Sequence, residues 1–275
     1  FLDNLDLNLI SKYKKIKNLK NTCFILISKS GNTLETITNL GIVFSEKSLK
    51  KKIIIITEKK NSTLMNMANK YDAEFIEHKN FIGGRYSVLS EIGLFPTKLM
   101  GIDLKKFRNL HGMLKNKSFV SSLVYNVANI YTLNENKINN SIIMNYDSSL
   151  NDLGFWYQQL VAESLGKKNS GILPIISKMP QDNHSLMQSY LDGTKNNFYT
   201  FFFVKQVPNN KINNKELLES HQYLRNKSLD SILYDQCVAT QKVFKRKKIP
   251  FRSFLIEKRD ERSLGELFTL DRKSV

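Results

Sequence analysis

The chain has 275 residues, enough for one large α/β domain or two modest ones, each able to bury a core of its own. With 41% hydrophobic and 24% charged residues it has the composition of a soluble globular protein, and its longest apolar runs, such as 53–56 and 198–204, are strand-sized, so no segment is expected to span a membrane. A net charge of +17 would suit nucleic acid, a membrane surface or an anionic small molecule, but the lysines are scattered among asparagines and isoleucines, and no aromatic-interleaved basic stripe supports nucleic acid.

Cys23 and Cys237 lie in apolar stretches without CxxC spacing or a histidine at ligand distance. Two buried free thiols are expected, with neither a zinc site nor a disulfide. No secretory pattern opens the chain, which places it in the cytoplasm by inference.

In chain order, apolar positions Leu5, Leu9, Ile16 and Leu19 suit a helix over 5–20, and 22–28 (TCFILIS) reads as a buried strand. A polar loop follows, then a helix over 34–47, a second strand at 52–57 (KIIIIT) and a short helix over 62–70 with Ser62 as N-cap. A glycine-rich turn at 83–93 enters a helix that Pro96 is expected to end, and a mostly helical stretch runs to Leu133. The second half repeats the scheme: strand 141–146, helix 152–165, strand 198–204, helix 229–247 and strand 251–256. Alternating near-continuous apolar strands and helices predict two doubly wound parallel-sheet α/β domains, 1–97 and 98–275, with ligands held beyond the carboxyl ends of the strands.

Four strings carry candidate chemistry. In 28–36 (SKSGNTLET), the hydroxyls of Ser28, Ser30 and Thr33 stand between a buried strand and a helix start, where backbone N–H groups and the helix dipole favour an anion. A turn that merely caps a helix is the plain alternative. This string resembles the phosphosugar-binding loop of the sugar isomerase domain superfamily. In 82–93 (IGGRYSVLSEIG), two glycines let the backbone approach a ligand closely and aim the Arg85 guanidinium. GGRYS after an SKSGxT loop resembles a signature of the glucose-6-phosphate isomerase family, with Glu91 standing where a small residue is usual and expected on a helix surface.

In 154–167 (GFWYQQLVAESLGK), Gln159 and Glu163 are four apart and share a helix face. In 182–193 (DNHSLMQSYLDG), His184 stands at a helix start, a setting unlike those of His78, His111 and His221. An aldose–ketose isomerisation needs one base to carry a proton between C2 and C1 and a group near neutral pH to open the sugar ring. The resemblance implies that Glu163 is that base, His184 opens the ring and Arg85 stabilises an enediolate. It further implies that Gln159 and Gly84 help position the sugar and that Ser28, Lys29, Ser30, Gly31, Asn32 and Thr33 hold the phosphate.

The resemblance extends to SLGELF at 263–268 and implies interconversion of glucose 6-phosphate and fructose 6-phosphate in glycolysis and gluconeogenesis, without cofactor or metal, by a homodimer with composite sites. The family also has an upstream glycine-serine loop and a C-terminal glutamine and lysine motif. With neither found here, the expectation is a sequence truncated at both ends and doubtful activity for this polypeptide alone. A non-catalytic sugar-phosphate regulator, an isomerase of mannose or glucosamine phosphate and a basic nucleic-acid binder remain as alternatives.

Overall fold

The computed structural model describes residues 1–15, 22–44, 52–108, 111–168, 170–205, 211–212 and 218–273. They divide into two compact units, Phe1–Ile102 and Asp103–Val275.

The first unit holds a parallel sheet in the spatial order β1 (Phe24–Ile27), β2 (Ile53–Thr57), β3 (Glu74–Glu77). Its helices are α1 (Leu7–Lys14), α2 (Leu34–Phe44), α3 (Thr63–Tyr71) and α4 (Glu91–Leu99). The isoleucine run of β2 is the middle strand, and Ile55 and Ile56 are fully buried, as an apolar strand without alternation requires. Leu40 of α2 and Leu64 and Ala68 of α3 pack with Ile55 to form the core. Ser62 caps α3, accepting from the Met65 N–H at 3.3 Å. The expected helix positions 16–20 and 45–47 lie outside the described residues.

Two sequence expectations change here. β3 was not expected, because a four-residue EFIE segment with both glutamates exposed carries almost no apolar signal. Pro96 does not end α4, which continues to Leu99. Proline removes one N–H, but Thr97 Oγ1 bonds the Gly93 carbonyl at 2.7 Å and Met100 N–H bonds the Pro96 carbonyl at 3.0 Å, so the last turn remains closed.

The second unit is a four-stranded parallel sheet of β4 (Asn140–Asn145), β5 (Leu173–Lys178), β6 (Asn197–Val204) and β7 (Phe251–Ile256) in the order β5-β4-β6-β7. Its helices are α5 (Leu104–Phe107), α6 (His111–Lys115), α7 (Lys117–Glu135), α8 (Asn151–Leu165), α9 (Met187–Asp192), α10 (Leu229–Arg246) and α11 (Glu261–Lys273). The strand order reverses at β4, the switch point of a doubly wound sheet. Side chains divide by parity: Ile142, Met144, Tyr199, Phe201 and Phe203 join Phe244 of α10 on one face, while Ile143 and Phe198 join Tyr157 and Val161 of α8 on the other. Each such fully buried side chain is worth about 1.5–3 kcal/mol against exposure.

β5 was also not expected, since Pro174 sits inside it. Among the described residues it is an edge strand with a partner on one side only, and on the other side a missing N–H costs nothing. In the SLGELF segment, a Cβ on Gly265 would meet the Phe107 carbonyl oxygen at 2.0 Å, so α5 and α11 touch backbone to backbone there. Cys237 is buried but Cys23, one residue before an edge strand, is exposed, which corrects the expectation of two buried thiols. Among the described residues no helix is long and apolar enough to cross a membrane.

Candidate active site

In the first unit the loops that follow all three strands meet at the carboxyl edge of the sheet. After β1, Ser28 Oγ is buried 2.7 Å from Thr33 Oγ1 and 3.5 Å from Ser30 Oγ, and it accepts the Gly31 N–H at 3.1 Å. Ser30 Oγ accepts the Asn32 N–H at 3.2 Å. Three hydroxyls are thereby drawn together ahead of α2, whose first N–H groups have no intrahelical partner.

Gly31 has φ of 71°, and a Cβ there would stand 2.3 Å from Ser62 Oγ and 2.9 Å from Thr57 Oγ1. The loop also bonds to the start of α3: Asn32 Oδ1 accepts the Thr63 N–H at 2.8 Å and the Gly31 carbonyl accepts the Leu64 N–H at 3.1 Å. The starts of two helices thus border one turn, an arrangement that suits an anion. Lys29 is turned to other partners, its Nζ lying 3.5 Å from Glu58 Oε1 and 3.4 Å from the Asn80 carbonyl. A hydrogen bond from Lys60, outweighing burial and aided by the Lys29 charge, holds the Glu58 carboxyl below its usual range.

The Lys29 bond to Asn80 ties the first loop to the third, which carries Gly83, Gly84 and Arg85. These residues enter a 3-10 turn, Gly84–Leu89, before α4. Ser87 Oγ bonds the Gly84 carbonyl at 2.6 Å, and the Arg85 guanidinium lies 5.1 Å from the centre of the Tyr86 ring. A Cβ on Gly84 would meet nothing within 4 Å, so the packing around it does not demand glycine.

Glu91 is not the helix-surface residue expected. Its Oε1 is hydrogen-bonded to His78 Nδ1 and accepts the Lys79 N–H at 3.3 Å. His78 itself is buried at 1% exposure at the end of β3, and missing that strand is what hid it. Burial alone would raise the Glu91 carboxyl; hydrogen bonds from the backbone and from His78 outweigh it and hold the group below its usual range.

In the second unit, Gln159 Nε2 donates to Glu163 Oε2 at 3.4 Å on the exposed face of α8. α8 runs back along β5, with Gly154 against Ile176 and Gln158 bonded to the Pro174 carbonyl at 2.9 Å. Glu163 is therefore near the amino edge of the sheet. His184 is exposed in the turn beyond Lys178, at the carboxyl edge. The structure brings Gln159 and Glu163 together but leaves Glu163 and His184 at opposite ends of β5, a strand of roughly 17 Å at the usual rise per residue.

Sequence reasoning missed Asp182, which builds the turn that carries His184. Its carboxylate accepts from the Lys178 N–H at 2.7 Å, Ser177 Oγ at 2.9 Å and Ser185 Oγ at 2.8 Å. Burial opposes the charged form, and these bonds outweigh it and hold the carboxyl below its usual range. A DNHS string carries only the weak signal of an Asp followed by a serine three residues on. Apart from these groups, Asp271 of α11 is buried beside Arg252, and burial, only partly offset by that charge, pushes its carboxyl up to about 7.

Parallel sheets whose polar, glycine-bearing loops cluster at strand ends define an open α/β protein of the ligand-binding kind. The model of the family "Phosphoglucose isomerase" matches residues 1–178. A glucose-6-phosphate isomerase of Methanocaldococcus jannaschii is 33% identical over 75% of this chain and 53% of its own length. A probable glucose-6-phosphate isomerase of Methanococcus maripaludis is 30% identical over 98% of the chain and 63% of its own length. The chain belongs to the phosphoglucose isomerase family, and it spans between about half and two thirds of the length of these relatives.

Solved structures agree on the fold. A hypothetical protein of Thermus thermophilus matches with a TM-score of 0.88 at 21% identity, over 99% of this chain and 69% of that one. A glucose-6-phosphate isomerase of Chlamydia trachomatis matches with 0.72 at 18% identity, over 97% of this chain and 56% of that one.

Proposed function

We propose that this chain carries most of the catalytic apparatus of a cytoplasmic glucose-6-phosphate isomerase that interconverts glucose 6-phosphate and fructose 6-phosphate in glycolysis and gluconeogenesis. The observation that carries the reading is the Gln159–Glu163 pair: an exposed carboxylate held by an amide on α8, in a chain of this family. The hydroxyl turn of Ser28, Ser30 and Thr33 takes the phosphate, with Gly31 and Asn32 shaping it and Lys29 fastening it to the neighbouring loops.

Chemistry follows from the residue types. His184 moves a proton between the ring oxygen and the C1 hydroxyl to open the sugar. Glu163 then takes the C2 proton and returns it to C1, so one carboxylate serves both halves of the reaction, with Gln159 fixing its rotamer. Negative charge grows on the enediolate oxygens, and Arg85, brought close by Gly84, stabilises it.

The polarity of α8 supports a homodimer. With Glu163 and His184 at opposite edges of one sheet, a single active site draws its base and its ring-opening histidine from different copies.

The test is a coupled fructose 6-phosphate to glucose 6-phosphate assay on this chain and on the reading frame that contains it, with Glu163→Gln beside each. Turnover abolished by the substitution, together with loss of solvent-deuterium incorporation at C2, is expected. Retained incorporation refutes the role of Glu163.

A further inference from the structure

The third loop of the first unit is closed by a contact that the reading of Arg85 does not use. His78 directly follows β3, its N–H bonding the Thr57 carbonyl at 2.8 Å, and its side chain is fully buried. One ring nitrogen, Nε2, faces the Ile82 carbonyl at 3.1 Å; the other, Nδ1, faces the Glu91 carboxyl. A carbonyl oxygen only accepts, so Nε2 bears a proton.

Glu91 is the first residue of α4, where the helix dipole favours a carboxylate, and its Oε1 also accepts the Lys79 N–H. An ionised carboxylate likewise only accepts, so Nδ1 bears a proton too. We propose that His78 is a buried imidazolium locked between Glu91 and the Ile82 carbonyl, and that this ion pair is a positioning device for the Gly83-Gly84-Arg85 turn.

The geometry gives the pair leverage over the arginine. Ile82 immediately precedes Gly83, and Glu91 follows the 3-10 turn that contains Arg85, so one ring fastens both ends of the segment. Inside it, the Tyr86 N–H bonds the Gly83 carbonyl at 2.9 Å, and Ser90 Oγ bonds the Ser87 carbonyl at 2.7 Å. Charged groups on the neighbouring elements are Glu77 and Lys79 on the β3 side, Glu58 with Lys60 and Lys29 on the first two loops, and Arg85 within the turn. The effect on turnover rests on the reading of Arg85 as a substrate contact; the charge state of His78 and the order of the turn do not.

Glu91→Gln keeps the shape and removes the charge, at a residue whose side chain is 25% exposed, so the fold is retained. Ring nitrogen NMR reads the protons on the ring directly. His78 is expected to show two protonated nitrogens in the parent chain and one in Glu91→Gln. An unprotonated Nδ1 in the parent overturns the assignment.

Amide exchange at Tyr86 is expected to quicken roughly tenfold in the variant, with β4 unchanged; an unchanged Tyr86 overturns the positioning role. In the isomerase assay, kcat is expected to fall about tenfold to a hundredfold with KM little moved. His78→Val combined with Glu91→Ala is expected to recover part of the loss seen in Glu91→Ala alone, because no buried ring nitrogen is then left without its hydrogen-bond partner. If Arg85→Ala leaves turnover intact, the role of Arg85 fails, and the ring and exchange measurements still decide the clamp.

Discussion

Replacing Gly31 with alanine tests how the proposed phosphate-binding turn is built. The backbone there sits at φ of 71°, which costs an L-residue roughly 1–2 kcal/mol, and the gain from a stiffer unfolded chain returns about 0.4–1 kcal/mol. The new Cβ would lie 2.3 Å from Ser62 Oγ, 2.7 Å from Ser62 Cβ and 2.9 Å from Thr57 Oγ1, so both side chains must shift. Ser62 caps α3 and Thr57 Oγ1 bonds the Lys29 carbonyl at 3.2 Å; losing the cap and that bond costs about 1 kcal/mol each. The net loss is about 2–3.5 kcal/mol in the stability of the first unit.

The assay is amide exchange at Ile55 and Ile56 of the buried middle strand, with fructose 6-phosphate titrated into the same samples. Faster exchange by roughly 30-fold to 300-fold is expected, since about 1.4 kcal/mol is a factor of ten, together with weakened binding. Gly84→Ala is the control: its Cβ meets nothing within 4 Å, so exchange is expected to stay unchanged while the sugar phosphate binds less well. A Gly31→Ala chain within about 0.5 kcal/mol of the parent, binding equally well, refutes this account of the turn.

Arg85→Ala is expected to lower kcat far more than it raises KM, by about 3–4 kcal/mol of transition-state stabilisation; an unchanged kcat with a raised KM removes the enediolate role. Asp271 is raised from 3.8 to about 7 by burial, so the folded second unit favours its protonated form. The stability this group contributes is present below about pH 4 and is lost as pH rises through about 7, a change on the order of 4 kcal/mol. Asp271→Asn is expected to flatten that slope in urea titrations run across the range, and an unaltered slope contradicts it. Asp182 is shifted the opposite way, so its contribution is present at neutral pH and fades as acid protonates it. Asp182→Asn is expected to speed exchange of the His184 N–H, which bonds the Gln181 carbonyl at 3.1 Å, and to slow turnover on the cyclic sugar more than on its open-chain form.

What the residues determine locally was legible in the chain itself. The uninterrupted IIII and FYTFFFV runs read as strands buried on both faces, and a serine-rich turn between strand and helix sets its hydroxyls at a helix start. Gln159 and Glu163 share a face because a helix turns every 3.6 residues, whatever else surrounds it. Tertiary structure decided what depends on pairing across long separations. β3 and β5 exist because neighbours supply their hydrogen bonds, one through a charged EFIE segment and the other around Pro174.

His78 and Glu91 are 13 positions apart, and in the sequence Glu91 reads as a helix-surface residue while His78 stands in no motif. Only the end of β3 and the start of α4 bring a buried ring onto a carboxylate. The direction of α8 along β5, which sets Glu163 and His184 at opposite edges, is likewise a property of the packed sheet, because a motif records which groups are present and not which end of a strand they reach.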